Sequence, residues 1–199
     1  MSVRAALSLT LLLTGVGLSQ AQSSRPAGSQ ADALIRQVRT ALARGQVDDA
    51  RTIASTASAA DETREFAGAL VDVFEGADDR ARTRLEALVQ GGAGGDVVLE
   101  LALLERRHGE REAARARLQP LVTNRALETP DDYFLLARAA RAVGELVLAN
   151  EAYDRIEGAG RADIYAERGD LFLQDHQYGE AAVEFRKALT VSTSYGTTR

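Results

Sequence analysis

Residues 45–50 read Gly45-Gln46-Val47-Asp48-Asp49-Ala50, and a related phrase returns four more times along the chain. Each copy opens with glycine, or with His176 in the last copy, and closes on alanine, and in all but the fourth copy most of the residues between are polar or acidic. The closing alanines are Ala50, Ala81, Ala114, Ala149 and Ala181, at spacings of 31, 33, 35 and 32 residues. A recurrence at such a regular interval is typical of a repeat protein.

The chemistry of this phrase predicts a turn between two helices. Glycine adopts positive φ without steric cost and therefore ends a helix readily. The acidic residues that follow it suit the positive end of the next helix dipole. Alanine is small enough for two helices to approach closely at that point. Each phrase is therefore predicted to be the turn of a helical hairpin, and the chain is predicted to be all-α.

The fifth copy resembles the tetratricopeptide repeat, whose length is about 34 residues. The residues that match this family's aromatic and small positions are Tyr165, Gly169, Phe172, Tyr178, Ala181, Phe185 and Ala188. The fourth copy keeps Tyr133, Leu136, Ala137, Gly144, Ala149 and Tyr153. The frequent first-helix tryptophan and the closing proline of the family are missing. The resemblance implies a right-handed superhelix, or solenoid, of about five helix-turn-helix repeats.

The repeat pattern also places the helices. First helices are predicted near residues 31–43, 61–75, 96–108, 130–143 and 161–175, and second helices near 47–58, 78–90, 111–124, 146–157 and 178–190. Thr129, with Pro130 after it, is a start signal, because threonine caps a helix and proline suits the first helical position. Pro120 lies inside a predicted helix, where we expect a kink or an early end.

The ends of the chain differ in composition from the repeats. Residues 1–21 combine Arg4, an apolar run and a Ser-Gln-Ala ending, which is the pattern of a secretory signal peptide, so we predict cleavage after Ala21. The mature chain would then be exported, to the periplasm or beyond the cell. Residues 22–30 read as a flexible leader, 31–190 as the repeat domain, and 191–199 as a tail or the start of a truncated sixth repeat.

Charge and composition exclude several classes of function. The net charge is −5 and the isoelectric point is near 5.2, which argues against a nucleic-acid partner. The sequence contains no cysteine, so disulfides, thiolate metal sites and a lipid-modified N-terminal cysteine are excluded. No later segment is apolar enough to cross a membrane, so we expect membrane contact only through the signal peptide.

The sequence offers no support for catalysis, a metal or a cofactor. The glycines at 91–95 resemble a phosphate-binding loop but lack its Lys and Ser/Thr ending, so we interpret them as a linker. His108 and His176 lie at hairpin turns and have no metal-ligand spacing. The paired acids, such as Asp48 with Asp49, recur at helix starts, where capping explains them. We therefore predict a protein that is not an enzyme.

The tetratricopeptide resemblance implies a concave groove lined by the first helices. The groove positions carried over to this sequence are Arg39, Phe66, Phe74, Leu103, Arg106, Arg107, Phe134, Arg138, Arg141 and Asp170. Arginine suits carboxylate recognition because its planar fork bonds both oxygens, and phenylalanine can anchor a partner. The alternative is that these arginines form a solvated face and pair with Glu105 or nearby acids.

Three functions remain open from the sequence. The first is an exported interaction scaffold that binds a peptide or an envelope protein in the groove, with an acidic partner as one candidate. The second is self-assembly through the last helix, because no polar capping helix follows residue 190. The third is the accessory repeat region of a larger enzyme or envelope complex. Fold alone does not decide among them.

Overall fold

A computed structural model describes residues 30–56, 59–124 and 126–194. The predicted signal peptide and nearly all of the predicted leader lie outside the described residues. Every regular element in the described ranges is a helix, as predicted. The helices are α1 (Gln30–Ala43), α2 (Val47–Thr56), α3 (Asp61–Glu75), α4 (Asp78–Gln90), α5 (Gly95–Arg107), α6 (Arg111–Thr123), α7 (Pro130–Val143), α8 (Leu146–Asp154), α9 (Ala162–Gln174) and α10 (Tyr178–Ser194).

The helices pair into five hairpins that stack in chain order. Each odd-numbered helix packs against the even-numbered helix that follows it, and each even-numbered helix packs against the first helix of the next hairpin. The first helices also pack on one another at α1–α3, α5–α7 and α7–α9. Nearest-neighbour stacking of helix-turn-helix units is the architecture of a helical solenoid. The chain therefore has a tetratricopeptide-like fold.

The predicted turns form with the predicted backbone geometry. The residue that opens each turn has positive φ, at 72° for Gly45, 74° for Gly76, 82° for Gly109, 88° for Gly144 and 60° for His176. Backbone N–H groups just after each helix then bond carbonyls of its last turn, as in the contact from Gln177 to Phe172 at 2.8 Å. The left-handed residue therefore closes the first helix and reverses the chain.

Changing His176 to glycine should stabilise the protein. His176 holds a left-handed backbone that costs a residue with a Cβ about 1–2 kcal/mol. Glycine removes that cost but loses more entropy on folding, so the net gain in the free energy of unfolding should be up to about 1 kcal/mol. Urea unfolding followed by circular dichroism measures it. His108→Gly serves as the control, since His108 has ordinary negative φ, and an equal gain there would contradict the explanation.

Alanine and leucine fill a core that runs along the whole stack. One cluster joins α1 to α5 and includes Val38 and Leu85, a second joins α5, α6 and α7 around Leu118, and a third joins α7, α8 and α9 around Tyr153. The alanine that closes each turn phrase is buried in every copy, in line with its predicted role at the close approach of two helices. None of the described helices is long and apolar enough to cross a membrane.

The helix ends depart from prediction most clearly in α6, α8 and α10. Helix α6 continues past Pro120 to Thr123, because proline in the last turn removes only one donor of the helix ladder. Helix α8 ends at Asp154, before the predicted residue 157, and α10 continues to Ser194, beyond the predicted residue 190. Residues 195–199 lie outside the described residues.

The predicted start of α7 is a complete capping box. The Thr129 hydroxyl accepts from the backbone N–H of Asp132 at 3.2 Å, and the Asp132 carboxylate accepts from the backbone N–H of Thr129 at 2.8 Å. Burial opposes ionisation of Asp132, but its carboxylate accepts hydrogen bonds from the hydroxyl and the backbone N–H of Thr129 and from the backbone N–H of Glu128, and these lower its pKa. Two otherwise unsatisfied donors are therefore bonded at the helix start.

The glycine-rich segment at 91–95 is a turn that leads into α5. Gly92 has φ of 86°, and Gly95 is the first residue of α5. A Cβ on Gly95 would lie 2.5 Å from a methyl carbon of Leu135 and 3.1 Å from one of Leu121. Close packing of α5 against Leu121 of α6 and Leu135 of α7 therefore favours glycine here, in addition to the turn predicted from the sequence.

Candidate functional site

Glu100 of α5 connects three first helices through ion pairs. Its carboxylate accepts from Arg39 of α1 at 2.8 Å and from Arg138 of α7 at 3.0 Å, and the residue is only 8% exposed. Burial raises the pKa of a carboxyl group, but the two guanidinium groups more than offset it and hold the pKa of Glu100 below its usual 4.5. Glu100 is therefore a buried carboxylate that stays ionised at neutral pH.

Glu167 of α9 extends the same chain of charges. It contacts Arg138 Nε at 3.3 Å and Arg141 Nη2 at 2.6 Å, and Arg141 lies 3.9 Å from Asp170. Burial disfavours the charged form of Arg138, but Glu100 and Glu167 raise its pKa, so it remains a cation. We call the set Arg39, Glu100, Arg138, Glu167, Arg141 and Asp170 the ion-pair ladder.

The ladder places four of the predicted groove residues, Arg39, Arg138, Arg141 and Asp170, on one continuous surface. Burial raises the pKa of Asp170; Arg141 lowers that pKa and Glu167 raises it. Three of the predicted arginines are thus bonded to acids of neighbouring first helices, although not to Glu105. Glu105 instead pairs with Arg117 of α6 at 2.6 Å.

Arg106 and Arg107 are neighbours in sequence but lie in different surroundings. Arg107 contacts Asp78 of α4 at 3.1 Å, beside His108, which lies 2.9 Å from the same carboxylate. Arg106 is exposed, and its guanidinium has no ion-pair partner in the described parts of the chain. Adjacent residues on a helix point in different directions, so only one of the two can face the groove.

A small recess of about 80 Å³ lies between α5, α7 and α9. Its lining residues are Leu103, Arg106, Arg138, Arg141, Ala142 and Gln174. The polar side chains of this lining are three guanidinium groups and one amide, all of which can donate hydrogen bonds. Leu103 and Ala142 add apolar surface. The recess therefore favours a negatively charged or hydrogen-bond-accepting group.

The three predicted phenylalanines have different environments. Phe66 is 6% exposed and belongs to the core, which leaves it little surface for a partner. Phe134 is partly buried, with the guanidinium carbons of Arg138 and Arg161 at 5.8 and 4.8 Å from its ring centroid. Phe74 is 51% exposed at the end of α3. Of the three rings, Phe74 offers the most apolar surface to a binding partner.

The sequence analysis missed Glu100 and Glu167, the acids that hold the ladder together. A signal for them exists in the spacing: Glu100 lies three residues before Leu103, and Glu167 lies three before Asp170. Residues three apart share a helix face, so both acids fall on the face that the groove positions define. Neither spacing says which arginine of another helix would be the partner.

Tyr153 of α8 is fully buried beneath this surface, and its hydroxyl has no hydrogen-bond partner among the described residues. Burial raises its pKa, and the nearby Glu167 raises it further, so the phenol stays neutral. The sequence predicts that Tyr153 occupies an aromatic position of the tetratricopeptide repeat, but it does not predict that the hydroxyl is buried. A buried hydroxyl without a partner costs stability relative to an apolar group of the same shape.

Tyr153→Phe should therefore keep or raise the free energy of unfolding. The gain should be about 1 kcal/mol, because the substitution removes a buried hydroxyl that has no hydrogen-bond partner in the described chain. Thermal unfolding measured by calorimetry tests this change. Tyr165→Phe provides the comparison, because the Tyr165 hydroxyl accepts from the backbone N–H of Gly158 at 3.3 Å. A larger loss for Tyr153→Phe than for Tyr165→Phe would show that the buried hydroxyl is bonded in solution.

The other candidate acids and histidines lie at helix starts and turns. Asp48 pairs with Arg51 at 2.6 Å, and Asp131 pairs with Arg161, at helix starts as predicted. His176 lies 3.3 Å from the hydroxyl of Tyr178. The described residues contain no cluster of three or more histidine or acidic side chains that could hold a metal ion.

A comparison with protein-family models and with curated protein sequences gives no match. Solved structures give similar folds. MamA from Desulfovibrio magneticus is 16% identical, with 84% of this chain and 97% of that chain covered and a TM-score of 0.43. A second MamA structure is 20% identical, over 80% and 96% of the two chains, with a TM-score of 0.42.

YrrB, described as a TPR protein with an unusual peptide-binding site, is 17% identical. The match covers 81% of this chain and 86% of that chain, with a TM-score of 0.40. The low TM-scores show that all of these superpositions are loose.

Proposed function

We propose that this protein is an exported, non-catalytic scaffold that binds a segment of another protein on its concave surface. The observation that carries this proposal is the recess beside Arg106, where donors and apolar side chains of three first helices meet. The carboxylates of Glu100 and Glu167 already form ion pairs with arginines, so they stabilise the arrangement of the first helices.

The concave surface keeps groups that a partner can contact. Arg106 and Gln174 are exposed beside the recess, and Leu173 and Phe74 are exposed apolar residues on first helices. Solenoids commonly use an extended concave surface for binding a peptide segment. A central cation with apolar neighbours matches the composition of binding hot spots, which favour arginine and aromatic residues.

Export rests on the residues 1–21, whose pattern matches a signal peptide. The full-length chain should be recovered from the producing cells outside the cytoplasm, with an N-terminus that begins at Gln22. Intact-mass measurement of the purified protein tests this. A mass that retains Met1 to Ala21 would contradict export by this route.

The binding proposal is tested by crosslinking in the cells that produce the protein, followed by affinity capture of the full-length chain. The informative variant is Arg106→Ala. Arg115→Ala is the matched control, because Arg115 is exposed on α6, away from the recess, and has no ion-pair partner in the described chain. The same partner should be captured by the wild type and the control and lost from the Arg106 variant.

Two results would count against the scaffold. Equal capture by all three proteins would show that the partner binds elsewhere on the surface. Capture of further copies of this chain alone would favour the self-assembly alternative. A single partner lost only from Arg106→Ala supports the concave surface as the binding site.

A further inference from the structure

Two charged side chains of α5 have no hydrogen-bond or ion-pair partner in the described chain. Asp96 lies in the first turn of this helix and Arg106 in its last turn, and both are exposed. Asp96 is one helical turn before Glu100 and so shares its face. The charged residues of the ion-pair ladder, in contrast, are bonded to one another: Glu100 pairs with Arg39 and Arg138, and Glu167 pairs with Arg141.

The surroundings of Asp96 favour an added positive charge. Asp96 as a residue is exposed, but neighbouring protein atoms reduce the hydration of its carboxyl group and raise its pKa. Arg39 and Arg138 lower this pKa, although both are bonded to Glu100. Glu100 and Asp131 act in the opposite direction. A basic group from a partner would stabilise this carboxylate.

The surroundings of Arg106 favour an added negative charge. Arg138 and Arg141 line the same recess, and none of the six lining residues is acidic. Glu167 forms ion pairs with both of these arginines, while the guanidinium of Arg106 has no ion-pair partner among the described residues. A carboxylate from a partner would gain charge-assisted hydrogen bonds there.

The distance between the two positions follows from helix geometry. Residues 96 and 106 are ten positions apart on one helix, which corresponds to about 15 Å along its axis at about 1.5 Å per residue. An extended peptide covers this distance in about four to five residues. In an extended chain, side chains four residues apart also point to the same side.

We propose that α5 selects partner segments that carry one basic and one acidic residue about four positions apart, with the base at Asp96 and the acid at Arg106. This inference rests on the proposed function and adds the charge pattern of the partner. The segment crosses the groove along α5, so its binding depends on the separation of the charges as well as on their sign.

The test uses acetylated and amidated five-residue peptides and the full chain. One peptide has lysine first, glutamate last and alanine, serine and alanine between them; a second has the reverse order. A third has the same composition with lysine and glutamate adjacent. Dissociation constants are measured by nuclear magnetic resonance titration. At least one of the two separated peptides should bind roughly three-fold to ten-fold more tightly than the adjacent one.

Two variants assign the charges. Arg106→Gln should remove the advantage of glutamate over glutamine in the peptide, and Asp96→Asn should remove the advantage of lysine over norleucine. Arg115→Gln and Asp79→Asn are the controls. Asp79 is the second residue of α4, as Asp96 is of α5, and it is exposed.

Equal affinity for separated and adjacent peptides, or no binding of any peptide, overturns the charge pattern. So do control variants that weaken binding as much as the groove variants. These outcomes are distinct from failure of the scaffold itself. A cellular partner lost from Arg106→Ala with no peptide preference would leave the scaffold standing and reject the charge pattern. Peptide selectivity without a captured partner would leave the charge pattern standing and count against the scaffold.

Discussion

Replacing Glu100 with glutamine should lower the free energy of unfolding by about 3–5 kcal/mol, the usual cost of removing one partner from a buried ion pair. Glu100 bonds both Arg39 and Arg138, and Arg138 is itself buried. Glutamine keeps the shape but leaves Arg138 with Glu167 as its one remaining ion-pair partner among the described residues. Urea unfolding at neutral pH, followed by circular dichroism, measures the loss.

Glu112→Gln is the control for this change. Glu112 is an exposed residue of α6 without an ion-pair partner in the described chain, and its replacement should alter stability by less than about 0.5 kcal/mol. A Glu100 variant as stable as the Glu112 variant would contradict a stabilising role for the ion-pair ladder.

The stability gap between the wild type and Glu100→Gln should also close in acid. The pKa of Glu100 is lower in the folded state than its usual 4.5, so its contribution is present above that value. The contribution is lost as the pH falls through the folded-state pKa. Unfolding curves across this range should converge below pH 4.5, while a constant gap would exclude titration of Glu100 as the cause.

Gly169→Ala should destabilise the protein through a clash between the two helices of the last hairpin. A Cβ on Gly169 would lie 2.6 Å from Cε1 and 2.8 Å from Cζ of Phe185. Displacing the ring should cost about 1–3 kcal/mol, as overpacking of a filled site does. The higher helix propensity of alanine offsets up to about 1 kcal/mol of this cost. The same urea measurement should show a net loss.

Gly179→Ala and a double variant complete this test. Gly179 is also helical, but a Cβ there meets open space, so that change should keep or raise stability. Adding Phe185→Leu to Gly169→Ala should recover part of the loss if the ring is the obstacle. A loss that is equal at Gly169 and Gly179 would show that packing against Phe185 is not responsible.

The sequence predicted the hairpins well because their determinants are local. A glycine or His176 with positive φ and a small alanine lie within a few residues of each other in every turn, with polar or acidic residues between them in most, and each acts on the backbone beside it. The capping box of Thr129 is of the same kind. Helix ends without such a signal were placed less well, as the C-termini of α8 and α10 show.

The surface chemistry could be predicted only in part. The face of the first helices follows from helical periodicity, and it included Arg39, Arg138, Arg141 and Asp170. It also included Phe66, which the packing of the first hairpins buries, together with Phe74, which stays exposed. Both lie on α3, and their different fates depend on which neighbouring helix covers each end.

By itself, the sequence determined the helices, their turns, their order and the face that could form a groove. Local backbone preferences and the period of the helix are sufficient for that. Only the tertiary structure decided that Glu100 bonds Arg39 and Arg138, that Arg107 turns to Asp78, and that Arg106 remains open. These contacts join residues far apart in the chain. They depend on how each hairpin is rotated against its neighbours, which the packing of many side chains sets together.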